Sequence, residues 1–240
     1  MNTLTQNTLT QKYVTQERRT YPVEFNPLNY DLIYYLDADT AVDDGAGLIS
    51  SWTDLSGNGY SPIATGTKRP TRITGFLNGH SVLRGNGTTN FMYKSFGRIY
   101  AQPSTRFIVW SNSVNALGVA IDGAVGSRHM IASPAGKVRI GAPTSLDYAK
   151  VTPFADFITT TAIFNATTSE IYENGVLKKT GRGGTESNLD LWVFSGSWGG
   201  VGGTAHLNGD IACIIAVEGL LPIADRVLFQ NFLQARYGHY

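Results

Sequence analysis

From Tyr30 onward the chain is a succession of short apolar runs separated by clusters of Gly, Pro, Asn and Asp. That punctuation predicts strands joined by tight turns. Candidate strands fall at residues 31–36, 81–83, 106–110, 117–121, 129–132, 137–141, 157–164, 189–194 and 209–217. Within the last, Ile211 to Val217 is apolar without alternation, the pattern of a central strand covered on both faces. Residues 169–179 read as a hairpin, because Asn174-Gly175 suits a two-residue turn whose central residues both need positive φ. Only near the C-terminus does the period change. Pro222 stands at a helix start, and Ile223, Val227, Leu228, Phe232 and Ala235 follow at helical spacing. Arg236 and Gly238 are suited to the helix end. The prediction is an all-β fold closed by one C-terminal helix.

The first residues follow another pattern. Residues 2–16 repeat one five-residue frame three times, each copy ending in Thr-Gln. Repeats so polar cannot build a core. Residues 1–29 are therefore expected to be an extended N-terminal arm, with Leu4, Leu9, Tyr13 and Val14 as the side chains that would anchor it. Such a segment can dock by adding a strand to a sheet edge. It has no hydrophobic stretch of the signal-peptide kind, so the expectation is a chain made in the cytoplasm.

Composition narrows the function. Nineteen basic against eighteen acidic residues argue against nucleic acid as the main partner. The single cysteine, Cys213, permits no intrachain disulfide and reads as a small buried hydrophobe. No run approaches the roughly 20 apolar residues of a membrane span.

Two segments carry a family resemblance. One runs through Leu36-Asp37-Ala38-Asp39, Ser51-Trp52-Thr53-Asp54-Leu55-Ser56-Gly57-Asn58-Gly59, Arg69-Pro70-Thr71 and Leu77-Asn78-Gly79. The other is Leu207-Asn208-Gly209-Asp210-Ile211-Ala212, then Leu220-Leu221-Pro222 and Phe232 to Gly238. Together they resemble LamG-like domains, which implies a concanavalin A-like jelly-roll β-sandwich over residues 30–240. Cys213 departs from that pattern, standing where the family often has an acidic residue. The Asp54 to Gly59 stretch also has a structural reading: its short polar side chains can bond their own backbone, with Trp52 as core anchor.

Catalysis finds no support. Glycosidases of this fold carry alternating carboxylates on one strand face. Here Glu170 and Glu173 have odd spacing, opposite faces, and the look of a solvated hairpin. Ser195-Gly196-Ser197-Trp198-Gly199 lacks the first glycine of a nucleophile elbow, and the four histidines are scattered. Hard oxygen donors for a calcium ion exist in Asp37, Asp39 and Asp210, with Asp43 and Asp44 nearby. Loop aromatics Tyr60, Tyr148 and Trp198 are candidates for stacking on a sugar. The expectation is a non-enzymatic phage virion protein, a capsid decoration, head fibre or tail component. Its arm would anchor it to other virion proteins while the jelly roll, as a homo-oligomer, met host-surface glycans. The alternative is a carbohydrate-binding adhesin module at a bacterial cell surface.

Overall fold

The computed structural model describes residues 25–124, 126, 128–150, 153, 155–196 and 205–238. The expected arm residues Leu4, Leu9, Tyr13 and Val14 lie outside these. Residues 25–29, expected in the arm, belong to the packed body, with Pro27 buried in a short 3-10 turn. Phe25 packs against Phe229 and Phe232 at ring distances of 5.0 and 5.6 Å.

The described residues form fifteen strands and one α-helix. In chain order they are β1 (Leu32–Asp43), β2 (Ile49–Asp54), β3 (Thr71–Leu77), β4 (His80–Asn86), β5 (Met92–Tyr100), β6 (Ser104–Asn112), β7 (Gly118–Asp122) and β8 (Met130–Ser133). Then come β9 (Lys137–Gly141), β10 (Ser145–Ala149), β11 (Ile158–Phe164), β12 (Ser169–Glu173), β13 (Val176–Gly181), β14 (Asn188–Val193), β15 (Asn208–Glu218) and α1 (Ile223–Tyr237). The larger sheet has the order β13-β12-β11-β6-β15-β1-β2, with β4 on β15 and β3 on β4. The smaller sheet runs β10-β9-β8-β7-β14-β5. All ladder pairs are antiparallel, giving the expected β-sandwich with one C-terminal helix.

Register explains the two-sided burial of β15. Ile214 lies between Leu36 of β1 and Ile108 of β6, and this row faces the core between the sheets. Its neighbour Ile215 lies between Tyr35 and Phe107, and that row faces α1. Phe229 of the helix stacks on Phe107 at 4.8 Å. The helix therefore presents Arg226, Phe229, Gln230, Leu233 and Tyr237 inward. This corrects the expected face: Ile223, Val227 and Leu228 are exposed. Polar partners under the helix decide the rotation. Gln230 donates to Thr161 Oγ1 at 3.1 Å, and Arg226 pairs with Glu170 at 3.1 Å while lying over the Tyr172 ring.

The sequence turns behave as their chemistry requires. Asn174 and Gly175 adopt φ of 50° and 77°, closing β12 on β13. Gly209 is required by contact: a Cβ there would lie 2.1 Å from the Ser111 carbonyl oxygen. Asp54 organises the motif after Trp52, its carboxylate accepting from the backbone of Tyr35, Ser56 and Tyr60 at 2.9–3.0 Å. Asn58 then donates to the Leu32 and Ile33 carbonyls, so this loop is a clasp on β1. Glu173, expected to be solvated, is instead buried and accepts from the Tyr148 hydroxyl.

A cation sits inside the sandwich. Arg106 of β6 is fully buried, with the small Ala162 and Ala216 opposite it on either side. Its guanidinium meets neutral partners: the Tyr34 hydroxyl, Asn188 Oδ1 at 3.0 Å and His129 Nδ1 at 3.0 Å. His129 must accept there, so its Nε2–H donates to the Glu186 carbonyl at 2.9 Å. The imidazole also stacks on Phe164 at 4.4 Å. Burial and the Arg106 charge hold its pKa well below 6.5.

Two outcomes follow from this packing. Between that lowered value and 6.5 the unfolded chain binds a proton at His129 that the fold refuses. Stability should therefore fall as pH drops below 6.5, by up to about 1.4 kcal/mol per pH unit. Urea unfolding from pH 7 to 5 should show this slope, and His129→Gln should flatten it. Phe229→Ala, by removing the ring on which the helix layer packs, should cost about 3–5 kcal/mol in the same assay.

Candidate functional site

Residues 62–64 close one side of the sandwich. Ile63 bridges Ser51 of the larger sheet and Tyr93 of the smaller one. Ile63 and Tyr93 exchange both backbone hydrogen bonds at 3.0 Å. The adjoining loops are tied by side-chain amides. Asn86 Oδ1 accepts the backbone N–H of Thr88, Thr89 and Asn90 at 2.9–3.2 Å. Asn90 Nδ2 donates to the Arg69 carbonyl at 2.7 Å, and the Phe91 amide donates to Lys68 at 2.9 Å. Two polar loops are thus fixed against a strand edge.

Behind them lies a cleft of about 540 Å³ on the outer face of the smaller sheet. Alternation puts its residues there. Leu191 and Val193 of β14 enter the core, so Asp190 and Trp192 face outward. Tyr93 is paired with Trp192, while its neighbour Met92 turns inward. Phe91 meets Trp192 edge-on at 5.1 Å, and Tyr93 meets it edge-on at 6.3 Å. Trp192 forms the floor at 4% exposure, and Tyr93 and Ile63 stand open at 38% and 56%.

Two charged groups join this apolar surface. Lys68, exposed at the rim, holds its ammonium 5.6 Å from the Phe91 ring centroid. Asp190, only 5% exposed, accepts the Ala124 amide on Oδ1 at 2.7 Å. Burial pushes its pKa above the usual carboxylate range, opposed by the Ala124 amide and then the nearby Trp192 indole. That indole N–H makes no hydrogen bond of good geometry. The arrangement suits a ligand with one apolar face and hydroxyl or amide edges.

The sequence candidates lie elsewhere. Tyr60 packs on Phe96 at 4.7 Å and shares a hydroxyl contact of 3.2 Å with Tyr100. Tyr148 is in β10, not in a loop, and its hydroxyl is taken by Glu173. Both rings pack against the core. Trp198 lies outside the described residues. The proposed calcium donors are drawn to cations. Asp37 and Asp39 both meet Arg236, at 2.8 and 2.9 Å, and Asp210 binds Arg84 through two contacts of 2.7 and 2.8 Å. Asp43 pairs with Arg72 and Asp44 with Arg69. Among the described residues no three His, Cys, Asp or Glu side chains form a metal-holding group. No described helix is long and apolar enough to cross a membrane. Sequence reasoning passed over Phe91, Tyr93 and Trp192. The signal for Trp192 was its outward phase, shared with Asp190, between the inward-facing Leu191 and Val193.

No family model and no curated protein sequence matches the chain. Solved structures do. It is similar to the receptor-binding domain of botulinum neurotoxin C/D mosaic serotype, with TM-score 0.59 and 12% identity over 84% of this chain. A botulinum neurotoxin serotype D ligand-binding domain in complex with N-acetylneuraminic acid gives 0.58 and 11% over 84%. The binding domain of Paraclostridial Mosquitocidal Protein 1 gives 0.57 and 12% over 85%. The chain spans about half the length of each, 51%, 51% and 53% respectively. These likenesses establish a β-sandwich of the jelly-roll kind, and the neighbours are binding domains rather than catalytic ones.

Proposed function

We propose that this chain is a non-catalytic binding domain and that its ligand is a glycan seated in the cleft of Phe91, Tyr93 and Trp192. The observation that carries this reading is the pairing of an aromatic surface with one buried carboxylate on an outward sheet face. A pyranose ring needs both: its C–H face packs on aromatic rings, and its hydroxyls need acceptors. The neighbours lend the class of ligand, since one of them was solved with a bound sugar acid. Those domains are about twice the length of the matched region, so the location of the seat rests on this chain's own geometry.

A finer part of the proposal is display on a phage particle, with the residues ahead of the packed body, 1–24, attaching the domain to other virion proteins. What supports it is the polar repeat of residues 2–16, which has too little apolar content to serve a core. The alternative, an adhesin module at a bacterial surface, uses the same cleft and differs only in attachment.

Two measurements test these parts separately. Tyr93→Ala should weaken glycan binding by about 0.5–1.5 kcal/mol in titration calorimetry, with unfolding unchanged. Undiminished affinity in that variant would remove the cleft as the seat. Deleting residues 2–20 should leave a folded domain that no longer co-purifies with assembled particles. Retained attachment would exclude the arm.

A further inference from the structure

The cleft's two charges are unequal in kind, and that inequality selects among glycans. Lys68 is exposed at the rim, where water screens it. Asp190 is at the floor, 5% exposed, among the rings of Tyr93 and Trp192. A charge acts more strongly where solvent is excluded, so the carboxylate outweighs the ammonium for any group reaching the floor.

Asp190 is also under-satisfied compared with the domain's structural carboxylates. Asp54 accepts from three backbone amides and the Ser56 hydroxyl. Asp210 faces Arg84 through both oxygens. Asp190 receives the Ala124 amide on Oδ1, has the Trp192 indole N–H nearby without a hydrogen bond of good geometry, and makes no ion pair among the described residues. A carboxylate with acceptor capacity left, lining an aromatic cleft, calls for a donor from the ligand.

Resting on the glycan reading above, we infer that the cleft is built for a neutral sugar whose hydroxyl protons Asp190 accepts, and that Asp190 makes it reject sialylated and uronic-acid glycans. A ligand carboxylate brought to the floor would meet a like charge with little water between them, and it offers no proton to Asp190. A hydroxyl edge offers the donor and brings no charge. The cleft would then have the opposite charge preference to a site that holds N-acetylneuraminic acid.

The test is a glycan array at pH 7.5 with matched neutral and sialylated oligosaccharides, followed by calorimetry on the intact chain. Neutral glycans should bind and their sialylated counterparts should not. Asp190→Asn should lower the affinity for the neutral ligand roughly ten- to hundredfold, the range of a hydrogen bond to a charged group. It should also narrow the gap between neutral and acidic ligands, which a merely structural role would not do. Asp190→Ser, smaller and neutral, guards against a folding defect in the first variant. Preferred binding of sialylated glycans that is lost in Tyr93→Ala overturns this inference and leaves the cleft as the seat. Glycan binding indifferent to both Tyr93 and Asp190 overturns the seat itself.

Discussion

The arrangement depends on one constraint, the burial of β15 and its neighbours β6 and β1 on both faces. A strand whose residues are apolar in both phases has no face to give to water. The larger sheet must therefore be covered twice, by the smaller sheet on the Leu36–Ile214–Ile108 side and by α1 on the Tyr35–Ile215–Phe107 side. Fully burying a side chain of this size contributes about 1.5–3 kcal/mol. Leaving either row in solvent would cost several such increments, so neither layer is optional. The C-terminal turn of α1 is then fixed by polar contacts: Arg236 meets Asp37 and Asp39, and Asn78 donates to the Arg236 carbonyl at 2.9 Å. These carboxylates serve the helix clamp, which is why residues that look like calcium donors in the sequence are engaged otherwise.

Double covering also explains how the interior accommodates Arg106. In the row of β6 that faces the core, the residues opposite it are alanines, and the space they leave is filled by the guanidinium and the Tyr34 hydroxyl. A buried cation is costly unless it is hydrogen-bonded. Its partners come from both sheets, Tyr34 from the larger and Asn188 from the smaller, with His129 just ahead of β8. The charge therefore pins the two sheets at one lateral position, which apolar contacts alone specify weakly.

Legibility in the sequence followed burial. Strands with an apolar phase, such as β6, β9, β11, β14 and β15, were read within a few residues of their ends. The strands passed over were β2, β3, β5 and β10. In β3 and β5 the burial pattern is mixed, because β3 pairs on one side with β4 and β5 bears the outward cleft. Ile49–Asp54 was visible as a motif, not as a strand, because its anchoring Trp52 and turn-forming Asp54 dominate it. The helix was found but its face was not, since Arg226 and Gln230 go inward to meet Glu170 and Thr161, and those partners are distant in sequence. The site was less legible still. Tyr60 and Tyr148 have the composition of ligand contacts, yet each had a partner across the fold, Tyr100 or Glu173, that no local pattern announces.

What separates the cleft from the rest of the polar surface is how its carboxylate is satisfied. Several acidic side chains of the described domain are consumed by the fold: Asp54 by backbone amides, Asp210 by Arg84, Asp147 by Arg139 and Lys137, Asp44 by Arg69. Each such group gains its full complement of donors when the chain folds, so it has little to offer a ligand. Asp190 lies on β14, opposite Ser95 of β5, where no arginine of the described residues reaches it. Its burial raises its pKa, and the Ala124 amide and then the Trp192 indole oppose that rise only in part. A fold that ends with an aromatic surface in place and a carboxylate incompletely bonded has left that bonding to be completed from outside. In this domain the arrangement occurs where Ile63 joins the two sheets and the backbone beside the cleft is held at both edges.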